Sequence, residues 1–197
     1  MNLIDVSNAQ GKVDWVKVKA AGINGAWLKA TEGVTFNDSW YASNKRQADA
    51  RGIRTGAYHF ARPEHNSAVA EADHFSHVIG KPGRRDLKPV LDMEGKGDEA
   101  WAHAFCKRVR ENLGVTPIFY SYSAWIAEHN FKTPVGNGLW LANYDGLLHI
   151  APAPAPWKRY VAHQYTSTAK MPGVTGNCDR SWGRLTGCLA HPLLGLL

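Results

Sequence analysis

Five alternations of a short apolar strand with a helical stretch, followed by strands too closely spaced to hold full helices, predict a single-domain α/β barrel. Three observations carry this expectation. Strand–helix alternation indicates a parallel sheet with right-handed crossovers. A total of about eight strands suggests that the sheet closes on itself, as five β/α units completed by bare strands. A chain of 197 residues is long enough for one substantial core and short for two.

The first strand is residues 3–7, ending in a polar turn, and Asp14 is placed to cap a helix that reaches residue 21 before Gly22. Residues 25–30 form the next strand, which runs into Glu32 and a turn at Gly33. A helical pattern over 40–51 stops at Gly52, and 54–60 is the third strand. Residues 67–78 are helical, closed by Gly80; 87–94 is a strand; 98–113 is a helix stopped at Gly114. The fifth strand is 116–121, with a short helix over 123–129. Residues 139–144 and 160–165 are two further strands, separated by an Ala-Pro run over 151–156 whose prolines favour an extended connector. The barrel is expected to occupy 1–182, leaving a tail of undetermined structure over 183–197.

The stretch 87–94 ends in two carboxylates. Side chains alternate across a strand, so Asp92 and Glu94 face the same way with Cα atoms roughly 6–7 Å apart. In a parallel sheet that end of a strand is where active sites form, and one acid held protonated beside one kept ionised is what glycoside cleavage requires. Two unrelated charges on a solvated loop is the competing reading of Asp-x-Glu alone. Asp5, Glu32, Tyr58, Tyr120, Trp140, Asn143, Gln164 and Asp179 supply the context, because most of them fall at or just after expected strand ends, as in a carbohydrate cleft with acids at the centre and aromatics around them. Individually, Asp5 could cap a turn, Glu32 could pair with Lys29, and Tyr58 or Trp140 could belong to the core.

The composition is that of an ordinary globular protein, 44% hydrophobic and 20% charged, with an unusual eight Trp. A formal charge of +6 favours an anionic partner, and the scattered basic residues do not form a nucleic-acid patch. Cys106, Cys178 and Cys188 lack disulfide or zinc spacing, and the histidines are dispersed, so neither metal nor cofactor is expected. The opening residues lack signal-peptide character and no apolar run reaches a membrane span of ~20 residues. Synthesis in the cytoplasm, with no membrane insertion and a monomeric state, is the expectation.

The segments Ile4-Asp5-Val6-Ser7-Asn8-Ala9-Gln10-Gly11, Lys29-Ala30-Thr31-Glu32-Gly33, Gly56-Ala57-Tyr58-His59-Phe60, Pro89-Val90-Leu91-Asp92-Met93-Glu94 and Gln164-Tyr165-Thr166-Ser167 together resemble the motif series of glycoside hydrolase family 25, lysozymes that include many bacteriophage endolysins. The resemblance implies a modified TIM-like (β/α)5(β)3 barrel that hydrolyses the β-1,4 bond between N-acetylmuramic acid and N-acetylglucosamine in bacterial peptidoglycan, acting on the wall after release from the host. It implies Glu94 as the general acid and Asp92 as the second carboxylate, assisting the substrate's acetamido group with retention; spacing alone permits retention or inversion. Asp5 joins this catalytic group, while Glu32, Tyr58, Tyr120, Trp140, Asn143, Gln164 and Asp179 are expected to bind substrate. The late motif departs from the family, where an apolar residue and Asn commonly follow the Asp; here Arg180-Ser181-Trp182 follow Asp179. A catalytically inactive wall-binding module and a chitin-cleaving barrel are the competing functions.

Overall fold

The computed structural model describes residues 1–144 and 152–191. Along the chain lie β1 (Asn2–Val6), α1 (Trp15–Ala20), β2 (Gly25–Glu32), a short arm β3 (Phe36–Asn37), α2 (Tyr41–Asp49), β4 (Arg54–Phe60), α3 (Ala68–Ile79), β5 (Val90–Asp92) and α4 (Glu99–Leu113). Then come β6 (Ile118–Tyr122), α5 (Ser123–His129), β7 (Leu139–Ala142), β8 (Ala162–Ala169), β9 (Cys178–Gly183) and α6 (Leu185–Cys188). Helices α1, α3 and α4 begin where Asp14, Ser67 and Asp98 accept hydrogen bonds from N–H groups of the first turn.

Strands β1, β2, β4, β5, β6, β7 and β8 pair in parallel, and β9 lies antiparallel between β8 and β1, closing an eight-stranded barrel with β3 as a hairpin arm of β2. Parallel pairing was expected from the five strand–helix units, and no residues were assigned to the eighth strand. The connection over 170–177 is too short for the dozen or more residues that a parallel crossover needs, so the chain returns antiparallel.

Alternation along the strands sorts the core into layers. Leu3, Trp27, Val90, Ile118, Trp140 and Ala162 fill the barrel interior, with Trp27 stacked on Trp140 at 4.3 Å between ring centroids. Leu91, Met93, Phe119, Leu139 and Leu141 face outward and meet Phe75, Phe105 and Val109 of α3 and α4. Ile4, Val6 and Leu28 do the same toward α1 and α2. The interior is tight enough that a Cβ on Gly56 would stand 2.7 Å from Trp27, so only glycine fits where β4 passes the indole.

Two strand assignments shift. β5 ends at Asp92, so Glu94 lies two residues past the strand rather than within it; Met93 still donates its N–H to the Tyr120 carbonyl at 3.1 Å, which keeps the extended run going. β7 ends at Ala142, leaving Asn143 and Tyr144 just beyond it. Residues 152–156 of the expected connector carry neither helix nor strand, and Ala151 lies outside the described residues. At the amino end of the barrel, Cys188 and Leu189 are buried with Leu3 and Leu87, while the apolar end of the tail, 192–197, lies outside the described residues.

Candidate active site

The inward-facing column of each strand turns from apolar to polar toward its carboxyl end. Leu3 is followed by Asp5, Trp27 by Lys29, Val90 by Asp92, Ile118 by Tyr120 and Ala162 by Gln164. The barrel core is thereby roofed with functional groups. They line a cavity of about 250 Å³ bounded by Asp5, Lys29, Tyr58, Phe60, Asp92, Glu94, Tyr120, Trp140, Tyr144, Gln164 and Asp179. Eight of the ten residues expected from the sequence meet here; Asn143 and Glu32 do not.

The four acids of the cavity lack cationic hydrogen-bond partners among the described residues. Asp5 of β1 and Asp179 of β9 sit directly opposite across the antiparallel seam, where like charges disfavour joint ionisation. Burial first, then the charge of Asp179, hold the Asp5 carboxyl well above its ordinary range, although Gln164 Nε2 donates to Asp5 Oδ2 at 2.9 Å. Burial, and then the charge of Glu94, push Asp179 up to about 6. Asp92 is also held well above the usual range, by burial, by the charge of Glu94 and by a hydrogen bond with it. Glu94 is raised by burial, and the hydrogen bond from Asp92 opposes that rise. The pair therefore shares a proton and titrates as a unit. Asp92 Oδ1 is buried and has no hydrogen-bond partner, an acceptor left over for a bound group.

Neutral donors organise the wall. Tyr120 and Tyr144 donate their hydroxyls to Gln164 Oε1 at 2.7 and 2.9 Å, so Gln164 joins both tyrosines to Asp5. Trp140 is buried, its Nε1 donating to Ser181 Oγ at 3.0 Å while its ring floors the cavity against Tyr120. Glu94 also borders a second hollow with Tyr122, Asn143 and Tyr144, where Tyr122 and Tyr144 are exposed. Asn143 is thus set beside the acids rather than among them, and His163 Nε2 donates to its carbonyl at 3.0 Å.

Glu32 takes the other course left open by its sequence. It accepts from Lys29 Nζ at 2.6 Å and from Arg62 Nε and Nη2 at 2.8 and 2.6 Å. Paired β2 and β4 shift register between Lys29 and Thr31, and the strand runs on past the cavity into the β3 hairpin, which carries Glu32 to the rim. Despite burial, which raises it, the hydrogen bonds and charges of Lys29 and Arg62 leave its carboxyl below the ordinary range. Behind it, Glu71 of α3 is fully buried, accepting from His59 Nε2 at 2.7 Å, Asn66 Nδ2 at 2.9 Å and the Arg62 N–H at 3.1 Å. His59 Nδ1 is met by Thr31 Oγ1 at 2.7 Å, and burial lowers the imidazole, fixing a neutral ring that donates from Nε2 and accepts at Nδ1.

Lys29, Phe60 and Tyr144 were not singled out from the sequence as cavity residues. Lys29 and Phe60 stood inside quoted motifs, and their inward parity along β2 and β4 was the available signal. Tyr144 shares the parity of Trp140 within the expected strand 139–144, and that signal holds although β7 itself ends at Ala142. Among the described residues there is no cluster of His, Cys, Asp and Glu suited to a metal.

The sequence pattern of glycosyl hydrolases family 25 matches residues 4–174. Lysozyme M1 of Streptomyces globisporus is 32% identical, over 90% of this chain and 66% of that protein, and the autolytic lysozyme of Clostridium acetobutylicum is 29% identical over 91% and 54%. The chain thus spans between about half and two thirds of the length of these curated relatives. Among solved structures, the bacterial lysozyme of Streptomyces coelicolor superposes with a TM-score of 0.85 at 29% identity, covering 93% of this chain and 92% of that one. The CTP1L endolysin does so with a TM-score of 0.75 at 30% identity, covering 93% and 66%.

Proposed function

Because the chain belongs to glycosyl hydrolases family 25, we propose that it is a muramidase, hydrolysing the β-1,4 bond between N-acetylmuramic acid and N-acetylglucosamine in bacterial peptidoglycan. The observation that carries this reading is the proton-sharing pair Asp92 and Glu94, set in a cavity whose other acids, Asp5 and Asp179, also resist ionisation. A group that must give a proton to a leaving oxygen near neutral pH needs such a raised pKa.

Glu94 is the proton donor in this scheme. It borders both the acid-lined cavity and the hollow of Tyr122 and Tyr144, which supports a scissile oxygen lying between a sugar held among the acids and a leaving sugar against exposed rings. Asp92, deeper and with Oδ1 unpartnered, accepts from the substrate's acetamido N–H and stabilises the charge that develops on the ring as the bond opens. Asp5, held by Gln164, shapes the same floor. The relatives named lysozymes support peptidoglycan as the substrate, and the endolysin likeness supports a bacteriophage source. In that reading the protein is made in the host cytoplasm, works as a monomer and reaches the wall after release; three buried, unpaired cysteines accord with a reducing site of synthesis.

The test is digestion of purified walls followed by mass spectrometry of the fragments. New reducing ends on N-acetylmuramic acid are expected. Wall binding without new reducing ends, or chitooligosaccharides released from chitin with intact walls, overturns the proposal.

A further inference from the structure

At the end of the barrel opposite the carboxylates lies a second cavity, of about 610 Å³. It opens where Lys88 leads into β5, Gly138 into β7 and Val161 into β8, beside Arg184, which follows β9. Lys88 and Asp92 are four residues apart along the extended run that enters and forms β5, so the two cavities stand roughly 13 Å apart along it, one cationic and one acidic.

Lys88, Lys158, Arg159 and Arg184 line this cavity, and no carboxylate among the described residues does. None of the four makes an ion pair among the described residues, whereas Lys29, Lys45 and Arg108 are each paired with acids. Lys88 is the informative member. It is only 8% exposed, and its ammonium donates to the Gly187 carbonyl at 2.7 Å and the Asn137 carbonyl at 3.5 Å, neutral acceptors that solvate it without cancelling its charge. A buried cation without a counter-charge is costly, and an anion entering the cavity removes that cost. Trp157, in the same wall, is 5% exposed, and its indole Nε1 is buried without an acceptor. A pocket that brings together a buried ammonium, two flexible guanidiniums, an exposed lysine and an unsatisfied N–H matches oxygen acceptors bearing negative charge.

We propose that this cavity binds a phosphodiester chain of the polyol-phosphate class, at a site separate from the cleft. The cavity is concave and holds only a few units, and its cations converge on one hollow rather than forming the extended track that a nucleic acid requires. Placing that polymer in the bacterial wall rests on the muramidase reading; the binding chemistry does not.

The experiment is calorimetric titration of the whole protein at low salt with a glycerol-phosphate oligomer, with inorganic phosphate and a single-stranded oligonucleotide of equal charge as separate arms. The oligomer is expected to bind about one per chain. The exposed double variant Arg159→Ala/Arg184→Ala should weaken binding at least tenfold and leave release of reducing ends from polymer-stripped walls unchanged, whereas Asp92→Asn should leave oligomer binding unchanged. No binding, undiminished binding in the double variant, or equal affinity for the oligonucleotide overturns the proposal. Inorganic phosphate binding as tightly as the oligomer overturns its chain component. Loss of muramidase activity in the parent protein with oligomer binding intact removes the wall assignment and not the site.

Discussion

In the cleft, Asp5, Asp92, Glu94 and Asp179 face one another with no cationic hydrogen-bond partner among the described residues, while one layer out Glu32 and Glu71 are saturated with donors. Both groups lie at the end of the barrel where the parallel strands finish, and burial pushes Glu32 and Asp92 alike upward. The partners separate the outcomes: Glu32 falls below the ordinary carboxylate range because Lys29 and Arg62 outweigh its burial, and Asp92 rises because burial is reinforced by the charge of Glu94. The paired group acts as scaffold. Glu71 ties α3 to the chain after β4, Arg62 in that chain ties Glu32, and Glu32 orients Lys29, the cation that lines the cleft.

This contrast is most sharply tested by removing the shared proton. Glu94→Gln should retain wall binding and lose at least ~100-fold in the rate of reducing-end release, because the amide cannot donate the proton. Asp92→Asn should be comparably impaired. Near-normal turnover in either would place the chemistry elsewhere. Glu71→Ala addresses the other side, since it strips acceptors from His59, Asn66 and the Arg62 N–H inside the protein. A loss of about 3 kcal/mol in urea unfolding is expected, and a loss below about 1 kcal/mol would make the paired cluster incidental.

Asp179→Asn should do the reverse and stabilise. The Asp179 carboxyl titrates near 6 in the folded chain against an ordinary value of 3.8, so above that range the folded state bears a charge it resists while the unfolded chain ionises freely. The penalty is absent below the unfolded value and complete above the folded one. The variant should therefore match the parent near pH 3.5 and exceed it by about 1 kcal/mol at pH 7, a figure reduced for solvent screening. Equal stability at both pH values would contradict the raised carboxyl. The smallest effect is expected from Glu32→Gln, a few-fold fall in turnover measured on walls, since it loosens Lys29 without touching the acids; a fall as deep as that of Glu94→Gln would move Glu32 into the cleft.

The layered barrel was legible because short apolar runs such as 116–121 alternate with helical stretches, and because Asp14, Ser67, Asp98, Gly80 and Gly114 punctuate the helices. β9 was not, since Cys178-Asp179-Arg180-Ser181-Trp182-Gly183 mixes charge with aromatic and small residues and its partners are the far end of the chain and a hairpin neighbour. The ring of rim residues could be read as a set, but not who pairs with whom. Glu32 next to Lys29 admitted both roles until the register shift after Lys29 was visible. Glu71 was invisible as a buried group because an acid in the first turn of a helix ordinarily faces water and complements the helix dipole.

The antiparallel seam also has a temporal consequence. Asp5 and Asp179 are brought together only by pairing of β1 with β9, at opposite ends of the chain, and closing so long a loop is the kind of contact that forms late in folding. The helices and the β4–β7 arc can assemble from neighbours in sequence, whereas the four-acid centre exists only once the ring is shut. On refolding from urea, return of helical circular dichroism should therefore precede return of hydrolysis, with the mutual repulsion of the two seam aspartates easing as the pH falls below about 6.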